Sequence, residues 1–132
     1  HEIMAFIHTK DDVDLAIRKA TELGLITFSQ HQIFKETIAK IVNHEELIPF
    51  FDADAKVFNE QNIIKKAFKN IKPDRVVVKD NMAYLLDYKT GEKHNKHKAQ
   101  LEEYELALQE MKYTVAKKAL IYIGESIEIV TL

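Results

Sequence analysis

A chain of 132 residues, 46% hydrophobic and 30% charged, suits one compact domain with a buried core and is too short for a multidomain enzyme. Its formal net charge of −2 supplies no global basic field, so any attraction to nucleic acid must come from a local patch. The lack of cysteine excludes disulfides, cysteine–zinc sites, thiol catalysis and iron–sulfur clusters, and no apolar run approaches bilayer-spanning length.

The first fifty or so residues read as helical. Thr9 and Ser29 each stand three positions before Asp12 and Gln32, a spacing that resembles helix capping. Val13, Ala16, Ile17, Ala20 and Leu23 then follow a helical period, and Gly24 supplies a stop. Ile33, Phe34, Thr37, Ile38, Ile41 and Val42 form a second stripe, and a short third helix is expected over 45–51, ending at Asp52-Ala53-Asp54. After this helical part (about 1–54) the character changes to an α/β core (about 55–132) within a single domain. Strand signals cover 56–64, 75–78 and 82–89, with Asp80-Asn81 suited to a tight hairpin turn. An amphipathic helix over 95–111 carries Leu101, Tyr104, Leu108 and Met111 on one face. Strands at 119–123 and 127–132 close the chain, so the order predicts a mixed sheet with one crossover helix.

Side chains two apart on a strand share a face, so Asp87 and Lys89 are neighbours while Tyr88 looks the other way. Pro73 is tolerable only near a strand start, which puts Asp74 at the beginning of the preceding strand. Across the hairpin, Asp74 is then expected opposite Asp87 and Lys89. Two adjacent carboxylates repel unless neutralised, and a hard divalent cation does this through oxygen ligands. With Lys89 to orient water or relieve charge on phosphorus, the group suits metal-assisted hydrolysis of a phosphodiester. The bland alternative is an exposed hairpin with ordinary charges, against which the apolar flanks Val76-Val77-Val78 and Leu85-Leu86 argue.

Pro73-Asp74 followed by Asp87-Tyr88-Lys89 resembles the PD-(D/E)XK nuclease signature. Its continuation through Thr90-Gly91, with Gln100-x-x-x-Tyr104, resembles the RecB/AddA-type branch, the C-terminal nuclease domain of bacterial helicase–nucleases. That resemblance implies a restriction-endonuclease-like mixed β-sheet flanked by helices, an exonuclease V-like DNA hydrolase, and Mg²⁺ or Mn²⁺ as the cofactor. It implies Asp74, Asp87, the backbone carbonyl of Tyr88 and His1 as metal ligands, with Glu60 as a further acid. Lys89 becomes the catalytic lysine, with Gln100 and Tyr104 lining the site and touching DNA. It further implies DNA ends, single- or double-stranded, as the substrate, attached helicase domains and a partner subunit, and a bacterial cytoplasmic location without a membrane partner. A chain opening at His1 without methionine reads as a piece of a longer polypeptide.

Two basic runs flank the motif: Lys65, Lys66, Lys69, Lys72 and Arg75 before it, and Lys93, Lys96 and Lys98 after it. Charge runs are usually solvated faces, but beside a phosphodiester site Lys72, Arg75, Lys93, Lys96 and Lys98 are candidates for strand phosphates. His94 and His97 lack a third zinc-type ligand nearby and read as a solvated helix start. The competing functions are a catalytically silent DNA-binding or structural domain of the same fold, and another PD-(D/E)XK endonuclease or resolvase.

Overall fold

Residues 2–59, 73–124 and 126–132 are described by a computed structural model, and the chain divides into two units, His1–Ala53 and Asp54–Leu132. The first unit is all helical. Two short 3-10 turns, Glu2–Phe6 and Lys10–Asp12, lead into helix α1 (Val13–Glu22). A third turn, Phe28–Gln30, leads into α2 (His31–Val42).

A capping box opens the Lys10–Asp12 turn that runs into α1: the Asp12 carboxylate accepts the backbone N–H groups of His8 and Thr9, both at 2.9 Å. Before α2 the reciprocal cap lies two residues earlier than the Ser29–Gln32 expectation. It joins Thr27 and Gln30, with Thr27 N donating to Gln30 Oε1 at 2.9 Å. Gly24, at φ 74°, ends α1 in the left-handed conformation that costs glycine least. Ala16, Ile17 and Ala20 of α1 and Ile38, Ile41 and Val42 of α2 are buried, whereas Leu23 and Ile33 of the expected stripes stay exposed. The segment Glu45–Phe51 is a 3-10 helix, with Leu47, Phe50 and Phe51 buried. Pro49, which lacks an N–H, explains why no α-helix forms there.

The second unit is a mixed α/β layer. Its five strands are β1 (Lys56–Asn59), β2 (Arg75–Lys79), β3 (Met82–Thr90), β4 (Thr114–Ile123) and β5 (Ile127–Thr131), and they lie in sequence order. Neighbours are antiparallel except β3 and β4, which are parallel and are joined by helix α3 (Asn95–Glu110). The β2–β3 turn has Asp80 at φ 52° and Asn81 at φ 66°, the positive pair that matches the twist of a two-residue hairpin. Asn81 Nδ2 also donates to the Lys112 carbonyl at 3.0 Å, tying the hairpin to the end of α3.

Beneath α3 lies one apolar cluster, in which Leu101, Tyr104, Ala107 and Leu108 cover Val76, Ala83, Leu85, Leu120 and Tyr122. Each fully buried leucine here contributes about 1.5–3 kcal/mol. Pairing of β3 with β4 slips at one point: Ala83 faces Val115 but Tyr84 faces Lys117, so Ala116 has no register partner.

Candidate functional site

The register Arg75↔Leu86 sets Asp74, one residue before β2, level with Asp87 on β3. Backbone bonds fasten the two: Asp74 N donates to Asp87 Oδ1 at 3.0 Å, and Tyr88 N donates to Asp74 Oδ2 at 2.9 Å. Two positions along β3 and on the same face, Lys89 Nζ lies 2.8 Å from Asp87 Oδ2 and 2.7 Å from Gln100 Oε1 of α3. The Asp87 side chain is 4% exposed and that of Lys89 18%, so this ion pair is only weakly screened by solvent. The structure therefore brings together Asp74, Asp87, Lys89 and Gln100.

Tyr104, one helical turn beyond Gln100, is buried over the same face. Burial first, then the charges of Asp87, Asp74 and Glu103, push its phenol well above the ordinary tyrosine value. It is thus a neutral hydroxyl beside two carboxylates. Tyr88 faces the other way and is also buried, which raises its phenol, while the Arg75 guanidinium beside it pulls the other way.

An open depression of about 610 Å³ meets the site at Lys89 and Gln100, and Lys96, His97, Ala99 and Glu103 complete its lining. His97 and Glu103 stand three residues either side of Gln100, a spacing that puts them on its helix face and was readable in the sequence. Rather than a solvated helix start, His97 is half-buried, with Nδ1 3.0 Å from the Tyr122 hydroxyl. Burial, then the cations Lys89, His94 and Lys96, hold its imidazole below the usual histidine range, against an opposing pull from Asp87.

The expected cations divide. Lys96 lines the depression and Lys98 is exposed on α3. Lys93 pairs with Glu128 and sits over the Tyr122 ring at 5.8 Å. Arg75 corrects the expectation: it is fully buried on the Tyr88 side of the sheet and offers no surface to a strand. His1, Glu60, Lys65, Lys66, Lys69 and Lys72 lie outside the described residues.

Hard oxygen donors favour Mg²⁺ or Mn²⁺, and two carboxylates locked level with each other fit such an ion. Among the described residues no cluster of three His, Cys, Asp or Glu side chains is present. The protein's share would be Asp74 and Asp87 with the Tyr88 carbonyl, and water suits the remaining positions of Mg²⁺.

The sequence model of a family described as "L protein N-terminus" matches residues 14–129. Sporulation-specific protein 77 of Saccharomyces cerevisiae is 41% identical over 56 residues, a stretch covering 42% of this chain. That stretch spans 11% of the yeast protein's length.

Proposed function

The chain belongs to the L protein N-terminus family, and we propose that it hydrolyses phosphodiester bonds of nucleic acid with a divalent cation held by Asp74 and Asp87. The observation that carries this reading is the placement of Lys89, whose ammonium bridges Asp87 and Gln100 at 2.8 and 2.7 Å beside the second carboxylate. A surface ion pair has no need of a second carboxylate fixed alongside by backbone bonds, whereas phosphodiester cleavage does. The family's description supports reading the chain as a module of a longer polypeptide. It supports a position near the N-terminal end, rather than the C-terminal end that the RecB/AddA resemblance implies.

The cation would polarise the phosphate and supply an activated water at neutral pH. The chain's own groups do the rest. Asp87 and Gln100 fix the Lys89 ammonium, which can then orient a water or stabilise charge on the phosphoryl oxygens without reorganising. Tyr104, kept neutral, is a hydrogen-bond donor for a phosphate oxygen. Lys96 offers a cation to the strand at the rim of the depression.

The test is incubation of end-labelled DNA and RNA with the chain and Mg²⁺ or Mn²⁺, beside an EDTA control and Asp87→Ala. Cleavage by the wild type, lost in both controls, is the expected result. Wild-type silence with no Mn²⁺ heat in calorimetry overturns the proposal and leaves a non-catalytic binding or structural module.

A further inference from the structure

Lys89 and Tyr122 are register partners across the parallel pair β3 and β4, so the Tyr122 ring stands on the site face beside the lysine. The His97 ring lies 5.7 Å from it, tilted by 42°, and His94 meets His97 edge-on at 5.5 Å. Three rings thus form a row, Tyr122–His97–His94, whose middle ring lines the depression together with Lys89, Lys96 and Gln100. None of them has a task in the hydrolysis itself.

Anchoring α3 to the sheet explains part of the row. Tyr122 is 8% exposed, and its hydroxyl bond to His97 Nδ1 holds the first turn of the helix in place. Anchoring does not explain His94, which is exposed and stands edge-on against His97, nor Lys96 in the lining beside them.

We infer that His94, His97 and Lys96 form a nucleotide subsite that seats one unpaired base of a single strand against the imidazoles and its phosphate on Lys96. The inference rests on the hydrolysis reading and deepens it by naming the substrate class. In a duplex every base face is already covered by its neighbours, so only a single strand can place a base on exposed rings. Stacking on rings tolerates any base, so such a subsite selects for strandedness rather than sequence. An imidazole held neutral suits stacking better than phosphate pairing, which leaves the charge to Lys96.

Binding of fluorescent single-stranded DNA and RNA, and of the matching duplexes, tests this by anisotropy in EDTA, where no cleavage intervenes. The wild type should hold single strands more tightly than duplexes. His94→Ala and His97→Ala should each weaken single-strand binding about tenfold, the scale of one lost base stack, and leave duplex binding unchanged. His97→Phe should restore most of the loss, and Lys96→Ala should lower the slope of log affinity against log salt by about 0.7. Because His94 is exposed, its alanine variant reports even if His97→Ala unfolds. Alanine variants that bind single strands as the wild type does, or that weaken both substrates alike, overturn the subsite. So does a phenylalanine variant no better than alanine. Ring-dependent binding without hydrolysis under Mg²⁺ would sink the nuclease reading alone, and hydrolysis with ring-independent binding would sink the subsite alone.

Discussion

Asp74 and Asp87 are held level by a reciprocal clasp: the backbone of Asp74 donates to the Asp87 carboxylate, and the Asp74 carboxylate accepts the next backbone N–H after Asp87. Each carboxylate is therefore both a prospective cation ligand and part of the hairpin's own hydrogen bonding. The two roles separate by substitution.

Asp74→Asn keeps an acceptor oxygen for Tyr88 N but loses the negative charge. It should melt within a degree or two of the wild type without added metal and show no rise with Mn²⁺. Asp74→Ala, which strands the Tyr88 N–H, should lose about 1–3 kcal/mol even without metal. Thermal melts with and without Mn²⁺ check both, and a normal Mn²⁺ shift in Asp74→Asn would remove Asp74 from the ligand set.

Lys89 supplies the charge that keeps nearly buried Asp87 tolerable. Lys89→Met should cost about 2 kcal/mol, less than the loss of a fully buried partner because the lysine retains some solvent contact. Divalent cation should recover more stability in Lys89→Met than in the wild type, since it replaces the missing positive charge. Hydrolysis should nevertheless fall about a hundredfold or more, because the cation cannot take over the ammonium's place beside the phosphate. Calorimetry beside a cleavage assay reads the two effects separately.

His97 gives the fold a pH signature. Its imidazole titrates below the ordinary value of 6.5 in the folded chain, so between the two midpoints the unfolded state binds more protons. Stability contributed by the neutral ring is present above the unfolded midpoint and is lost as pH falls from there through the folded midpoint. Urea unfolding at about pH 7.5 and about pH 5.5 should show a smaller acid loss for His97→Phe than for the wild type, the difference isolating this histidine from the other five. A titration midpoint at or above 6.5 by NMR would contradict the cause assigned here.

Asn81 couples turn and helix. At φ 66°, a β-branched residue is strained, and the bond to Lys112 would also be lost. Asn81→Val should therefore destabilise by about 2 kcal/mol and Asn81→Gly by about half as much, since glycine accepts the backbone angle but not the bond. Equal losses in urea melts would mean that the side-chain bond alone matters.

Much of this layout was legible in the sequence. The helical first part, the Asp80-Asn81 turn, α3 and the facing of Asp74 with Asp87 follow from period, turn chemistry and the parity of strands. Three things were hidden. The first five residues of β4, Thr114 to Lys118, carry two lysines and a broken alternation, so the strand signal began only at Ala119. The burial of Arg75 depends on what covers its face of the sheet, which a basic run does not disclose. The place of His97 needed the pairing of Tyr122 with Lys89, a relation across some thirty residues that no local pattern carries.

The slip at Ala116 explains that broken alternation. Val115 and Leu120 are five apart, an odd number, yet both pack in the cluster beneath α3. β4 is thus two half-strands in opposite phase, joined at one unpaired residue. Losing Ala116 would shorten the strand and leave both halves facing as they do. Losing a residue between Lys117 and Ile121 while the slip stays at Ala116 would turn Tyr122 to the far side of the sheet and dismantle the ring row. The site is indifferent to the length of its fourth strand and strict about its parity, so a loss in this stretch is tolerated where the slip can absorb it.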